Sequence, residues 1–263
     1  MSHLGLRDEP HFVLEGLDAL GRSVINRLHQ TAPYQRLFQV GEQEQAEVWR
    51  CWLGSIASLS ELIRPDHHDL LPERDDVRDL IIVAGDGVWP ADAAAISSQV
   101  IVVLPESSEQ AEDSLFGFLA QWFDLLVKPG IISLTWKDVR AFLTPGLPAY
   151  AARATVAGCA QAGEAGERVA EQLDRYIAAR TGADWGGLLA TITAGDNFGL
   201  DAYSAVGEAL QPLWADDENF VLATIPHERT DLVVWAMIRS PLKRHTSFRS
   251  RTACAGTVLS KDS

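Results

Sequence analysis

The sequence is poor in cysteine, in positive charge and in long apolar runs, and each shortage excludes a class of protein. Three cysteines, Cys51, Cys159 and Cys254, stand far apart. They match no metal-ligand spacing and no disulfide framework, as is usual for a chain from a reducing compartment. Lys and Arg together number 22 against 36 Asp and Glu, a net charge of −14. Wrapping a phosphate backbone needs clustered cations, so nucleic acid is not an expected partner. Nowhere do eighteen apolar residues follow one another, and MSHLGLRDEPHF lacks the basic and then apolar pattern of a secretion signal. The expected location is the cytoplasm. There is no GxxxxGK[ST], no GxGxxG and no G-x-S-x-G, so neither the common phosphate-binding loops nor a serine-nucleophile elbow is available.

What is present is enough apolar material, 47% of 263 residues, for one large domain or two small ones sharing an interface. Phe12-Val13-Leu14, Gly16 and then Leu17, Leu20, Val24 and Leu28 predict a strand, a turn and a helix. Residues 41–64 are read as a polar start followed by a helix carrying Trp49, Trp52, Leu53 and Ile56 on one stripe, ended by Pro65. The runs 79–84 and 100–104 fit buried parallel strands. A long helix over 109–127 has Leu115, Leu119, Trp122, Phe123 and Leu126 on one side, widened by Phe116 and Phe118.

Beyond Pro129-Gly130 a second unit is expected: a strand at 131–134, a helix at 137–143 and a stretch of Ala and Gly reaching Gly166. A helix at 164–180, a strand at 188–194, a helix at 201–214 and strands at 219–225 and 231–238 follow, with Thr181-Gly182 as a helix stop. From Arg239 onward the chain carries Arg239, Lys243, Arg244, Arg249, Arg251 and Lys261 against Asp262. It reads as a basic, disordered tail suited at most to weak contact with an anionic surface.

Two segments, LLVKPGIISLTWKDVRAFL and LLATITAGDNFGLDAYSAVGEAL, followed by ENFVLATI and DLVVWAMI, resemble the C-terminal half of FtsZ, the bacterial relative of tubulin. More faintly, FVLEGLDALGRSVINRL resembles that family's first strand, glycine loop and helix, and DLIIVAGDG its fourth strand and following turn. The resemblance implies an α/β fold of the tubulin/FtsZ type. It would have a shortened, degenerate Rossmann-like nucleotide-binding domain over 1–108, a central helix over 109–127, a C-terminal α/β domain over 128–238 and the tail over 239–263.

It also implies a GTP site whose parts are mostly missing. The family's glycine loop is reduced to Gly16 and Gly21 with Leu17, Asp18, Ala19 and Leu20 between them. Backbone N–H groups converge on an anion only where Cβ atoms do not intrude. The signature glycine turn is replaced by Gly85-Asp86-Gly87-Val88-Trp89-Pro90-Ala91-Asp92. Pro90 removes a donor, and Asp86 and Asp92 repel phosphate. Gly16, Gly21, Gly85 and Gly87 are therefore relic positions, and for the two retained loop glycines, Gly16 and Gly21, the strand-to-helix turn and close helix packing are favoured over residual binding.

In the synergy loop, where the family places an Asn and two Asp residues that enter the neighbouring subunit's site, this chain has Ser133, Thr135 and Asp138. One carboxylate is kept and one is lost, which does not suffice to position a metal and water. Asp138 can equally serve the helix dipole.

Trp136 and Lys137, beside Asp138, are candidate interface residues, with packing of Trp136 inside its own domain held open. Asp66-His67-His68-Asp69 is the densest set of metal-type ligands, but adjacent histidines diverge and a surface turn is the reading, so no metal is expected.

No cofactor and no catalysis are expected. The predicted role is that of a pseudo-GTPase partner or modulator of a tubulin-like filament, FtsZ or copies of itself, in the setting of cell division. A weakly GTP-binding enzyme and a scaffold unrelated to division are the alternatives.

Overall fold

The computed structural model describes residues 10–38, 48–62, 77–85, 100–128, 134–143, 148–178, 187–213, 220–228 and 230–239. In chain order these form β1 (His11–Gly16), α1 (Ala19–Gln30), a 3-10 turn, α2 (Gln35–Phe38), β2 (Val48–Ser55), α3 (Ile56–Leu62), β3 (Val77–Ala84) and β4 (Val100–Leu104). There follow α4 (Ala111–Val127), α5 (Trp136–Phe142), β5 (Pro148–Val156), α6 (Ala162–Ala178), β6 (Gly187–Ala194), α7 (Leu200–Leu210), β7 (Phe220–Pro226) and β8 (Leu232–Arg239).

The strands make one eight-stranded sheet in the order β1-β2-β3-β4-β5-β8-β6-β7. β1 to β5 are parallel neighbours, β6 and β7 are parallel, and β8 runs antiparallel between β5 and β6. Because side chains alternate along a strand, each central strand feeds two cores. Ile82, Val102 and Ala149 point to the face covered by α1, α4 and α5. Ile81, Val103 and Tyr150 point to the face covered by α3, α6 and α7. Burial on both faces is why β3 and β4 are continuous apolar runs, with Leu80 through Ala84 at 0% exposure.

One expectation is corrected, and one stretch given no element in the sequence reading has one. Residues 48–55 are a strand, not the middle of a helix: Trp49, Cys51 and Leu53 are buried on one face, while Trp52 packs on the other. A helical stripe and a period of two share positions over so short a segment, and the β-branched and aromatic content favours the strand. The Ala-rich stretch after residue 148 is likewise a strand, β5, at the centre of the sheet. Its small side chains leave room for helices on both faces.

The remaining elements of the C-terminal half fall within a few residues of their expected places. The long helix expected over 109–127 is α4, which buries Leu115, Phe118, Leu119, Trp122 and Phe123. Residues 131–133, the helix stop at 181–182 and the tail from 240 lie outside the described residues.

Candidate functional site

β1 ends at Gly16, and the turn that follows is tied to β2 by Leu17, whose N–H donates to Leu53 O at 2.8 Å. Asp18 then caps α1. One carboxylate oxygen, Oδ1, accepts from Gly21 N–H at 2.9 Å, satisfying a donor that the first helical turn otherwise leaves open. The other, Oδ2, reaches the next turn, accepting from Ser55 N–H at 2.9 Å and Ser58 Oγ at 2.7 Å. Ser55 and Ser58 are themselves linked, Oγ to Oγ, at 3.0 Å.

One carboxylate thus fastens the β1–α1 turn to the β2–α3 turn. Burial alone would push the Asp18 carboxyl up, but the hydrogen bonds from Gly21, Ser58 and Ser55 outweigh it and hold it below the usual carboxylate range.

The glycines here serve close approach. A Cβ on Gly21 would lie 1.9 Å from Leu53 O, and one on Gly54 would lie 2.8 Å from the Leu17 Cβ. α1 can therefore sit against β2 only because Gly21 lacks a side chain, and the Leu17-Asp18 turn fits beside β2 because Gly54 does. Gly16 is crowded in the same way, by Arg22 N at 2.7 Å. Beside it, Glu15 is paired with Arg50 on β2 at 3.3 Å.

Gly85 does not join this group. β2 lies between β1 and β3, so the turn facing Gly16 and Gly21 is the one that follows β2. Gly85 has φ +144° and is fastened instead to β4, donating to Leu104 O at 3.1 Å. Gly87 lies outside the described residues, as do Ser133 and the 66–69 cluster. Among the described residues no three His, Cys, Asp or Glu side chains are grouped to hold a metal ion.

The sequence reading missed Gly54, Ser55 and Ser58, because treating 41–64 as helical removed the strand-turn-helix junction that brings them to Asp18. Burial alternates from Val48 to Leu53, but all of these residues except Arg50 are apolar, so the sequence itself shows no period of two there.

Chemically, the site holds its own anion. The N–H groups of Gly21 and Ser55 are the kind of backbone donors that cradle phosphate elsewhere, but here both are bonded to Asp18. A second anion placed there would meet that carboxylate at a cost of ~1 to 4 kcal/mol near 4 Å, depending on solvent. The described residues do not fit a triphosphate.

The synergy-like residues form a separate structure. Thr135 caps α5 in a capping box: the Asp138 carboxylate accepts from Thr135 N–H at 2.9 Å and Thr135 Oγ1 at 2.7 Å. Both of these donors are local, as the helix-start reading of Asp138 requires. Trp136 packs within its own chain, 8% exposed, edge-on to Phe12 at 5.4 Å and to Trp49 at 5.1 Å. Of the two readings of Trp136, these contacts favour packing inside its own domain. Lys137 falls in the first turn of α5.

No protein-family model matches the chain, and no curated protein does. Solved structures do. A point mutant of FtsZ from M. jannaschii superposes with a TM-score of 0.53 at 13% identity, over 74% of this chain and 66% of that one. An FtsZ dimer from M. jannaschii, described as empty, gives 0.51 at 11% identity, over 82% and 67%. TubZ protofilaments in the GDP form, from Bacillus thuringiensis serovar israelensis, give 0.46 at 11% identity, over 86% and 69%. The chain spans about two thirds of the length of these structures. With the order of helices and strands described above, the two FtsZ superpositions show that the chain has the tubulin/FtsZ fold.

Proposed function

We propose that this chain is a pseudo-GTPase of the tubulin/FtsZ fold, which works by binding a tubulin-like subunit, FtsZ or a second copy of itself, and not by turning over nucleotide. The observation that carries this reading is the Asp18 carboxylate bonded to Gly21 N, Ser55 N and Ser58 Oγ. The donors that a phosphate would need are satisfied from within the chain, and the charge they hold repels another anion. The loss of one synergy-loop carboxylate and the local engagement of Asp138 with Thr135 point the same way. One of the structures that this chain resembles is a dimer, which supports self-association or docking on a related subunit. Among the described residues no helix is long and apolar enough to cross a membrane, and the cytoplasm, where a division filament assembles, is the proposed setting.

The test is calorimetric titration of the purified chain with GTP and magnesium, with FtsZ as positive control, followed by co-sedimentation with assembled FtsZ. No heat up to millimolar GTP, together with a change in FtsZ assembly or pelleting of the chain with it, is the expected result. Micromolar GTP binding would overturn the pseudo-GTPase reading in favour of a diverged GTPase. Absence of both GTP binding and any effect on FtsZ or self-association would favour a scaffold role outside division.

A further inference from the structure

The carboxyl ends of β4 and β5 open a crevice. The two strands are adjacent and parallel, but their pairing stops at Val103 and Tyr150, while β5 continues to Val156. From β4 the chain enters α4, on the face that holds Phe118, Leu119 and Ala149. From β5 it enters α6, on the opposite face with Ala152, Val169 and Leu173. Parallel neighbours whose following helices depart to opposite faces leave a gap at their carboxyl ends, and α/β sheets bind ligands at such switch points.

Here the gap is a cavity of about 480 Å³, lined by Glu106, Gln110, Arg153, Arg168, Glu171 and Arg175 among others. Its size is that of a small-molecule site.

The lining is unusual for so acidic a chain. Arg168, Glu171 and Arg175 recur at helical spacing on α6, and a solvated helix face would account for those three alone. It does not account for Arg153, which comes from β5 and is half-buried, its guanidinium 5.6 Å from the Trp235 ring centre. Gln172 donates to Arg153 O at 3.1 Å, tying α6 to the stretch of β5 beyond the end of β4. Arg168 is neutralised by Glu164. Among the described residues Arg153, Arg175, Glu106 and Glu171 are in no ion pair, so one cavity displays both guanidinium donors and carboxylate acceptors with unmet capacity.

We propose that this crevice binds a small polar molecule carrying one phosphate or carboxylate, recognised by Arg153 and Arg175, and hydroxyl or amine groups, recognised by Glu106 and Glu171. The site is separate from the Asp18 turn and does not depend on the chain's relation to GTP.

The experiment uses the full chain and glycerol phosphate, at ionic strength matched with sodium chloride, read by calorimetry and by thermal shift. The expected result is saturable binding in the millimolar range or tighter. It should weaken about tenfold in Arg175→Ala, by loss of one charged hydrogen-bonding partner. Arg175 is exposed on α6, so that variant should keep the wild-type melting temperature, and Asp18→Asn should bind as the wild type does. No saturable binding at millimolar glycerol phosphate overturns the proposal. So does binding that Arg175→Ala and Glu171→Gln both leave unchanged.

Discussion

The Asp18 carboxylate and the Ser55 N–H, 37 residues apart in sequence, meet at 2.9 Å, and through them the first two parallel strands share one closed turn. Ser58 Oγ joins the same oxygen at 2.7 Å. Replacing Asp18 with Asn keeps one acceptor and turns the other into a donor that faces N–H and O–H groups. The expected loss is ~1 to 2 kcal/mol at neutral pH.

Its pH dependence follows from the direction of the shift. Because the folded carboxyl titrates below its ordinary value, its contribution is complete above the unfolded value of about pH 4 and disappears as pH falls through the folded one. Urea denaturation at neutral pH and near pH ~3 should therefore show the gap between wild type and Asp18→Asn narrowing in acid. A gap that stays constant would mean that the carboxylate charge plays no part in the latch.

Gly21 makes a sharper prediction. Its hydrogen faces Leu53 O so closely that a methyl group would stand 1.9 Å from that oxygen, and both partners are backbone. Gly21→Ala must push α1 away from β2, at about 3 kcal/mol or more, despite the better helix propensity of alanine. If thermal denaturation shows Gly21→Ala as stable as the parent, the retained glycine owes nothing to packing and a ligand-binding explanation returns.

Tyr34 lies just past the C-terminal end of α1, its hydroxyl donating to Asp124 Oδ1 at 2.9 Å with Ala120 O also near, at 3.1 Å. Lys128 Nζ meets the other Asp124 oxygen at 2.8 Å. Burial first, then the Asp124 charge and the hydrogen bond to it, push the phenol up well above its usual value. A phenol held neutral in the fold contributes fully below about pH 10 and loses that contribution as pH rises further. Tyr34→Phe should cost ~2 kcal/mol at neutral pH, and the difference from wild type should shrink in alkali. Burial raises the Tyr203 phenol as well as that of Tyr34, so spectrophotometric titration should show fewer tyrosines ionising near pH ~10 in the native chain than in urea, and Tyr34→Phe should narrow that difference by one.

The C-terminal half was legible because its periods are clean. Val169 and Leu173 sit one turn apart on α6, and Leu188 to Ala194 is a buried apolar run. The junction at 48–58 was not. Trp49, Trp52, Leu53 and Ile56 fit a helical stripe as well as they fit a strand entering a turn, and only pairing with β1 and β3 decides between them. The site depended on that decision, since Asp18 reads as an ordinary helix cap until Ser55 and Ser58 are brought to its second oxygen. Trp136 was ambiguous for a related reason: a tryptophan at a helix start is placed by what lies beneath it, and Phe12 and Trp49 are more than 80 residues away.

Trp136 itself separates the core role from an interface role. With 8% of its surface exposed and two aromatic rings against its edges and face, Trp136→Ala should lose ~3 to 5 kcal/mol of stability. A binding defect in that variant would follow from unfolding alone. Trp136→Phe is the informative change, since it keeps an aromatic ring in the cluster and should cost only ~1 to 2 kcal/mol. Its melting temperature should fall by several degrees while its affinity for a filament partner, measured well below melting, stays that of the wild type. A Trp136→Phe chain that melts as the parent does but no longer binds would put the indole at the subunit contact and return α5 to the docking face.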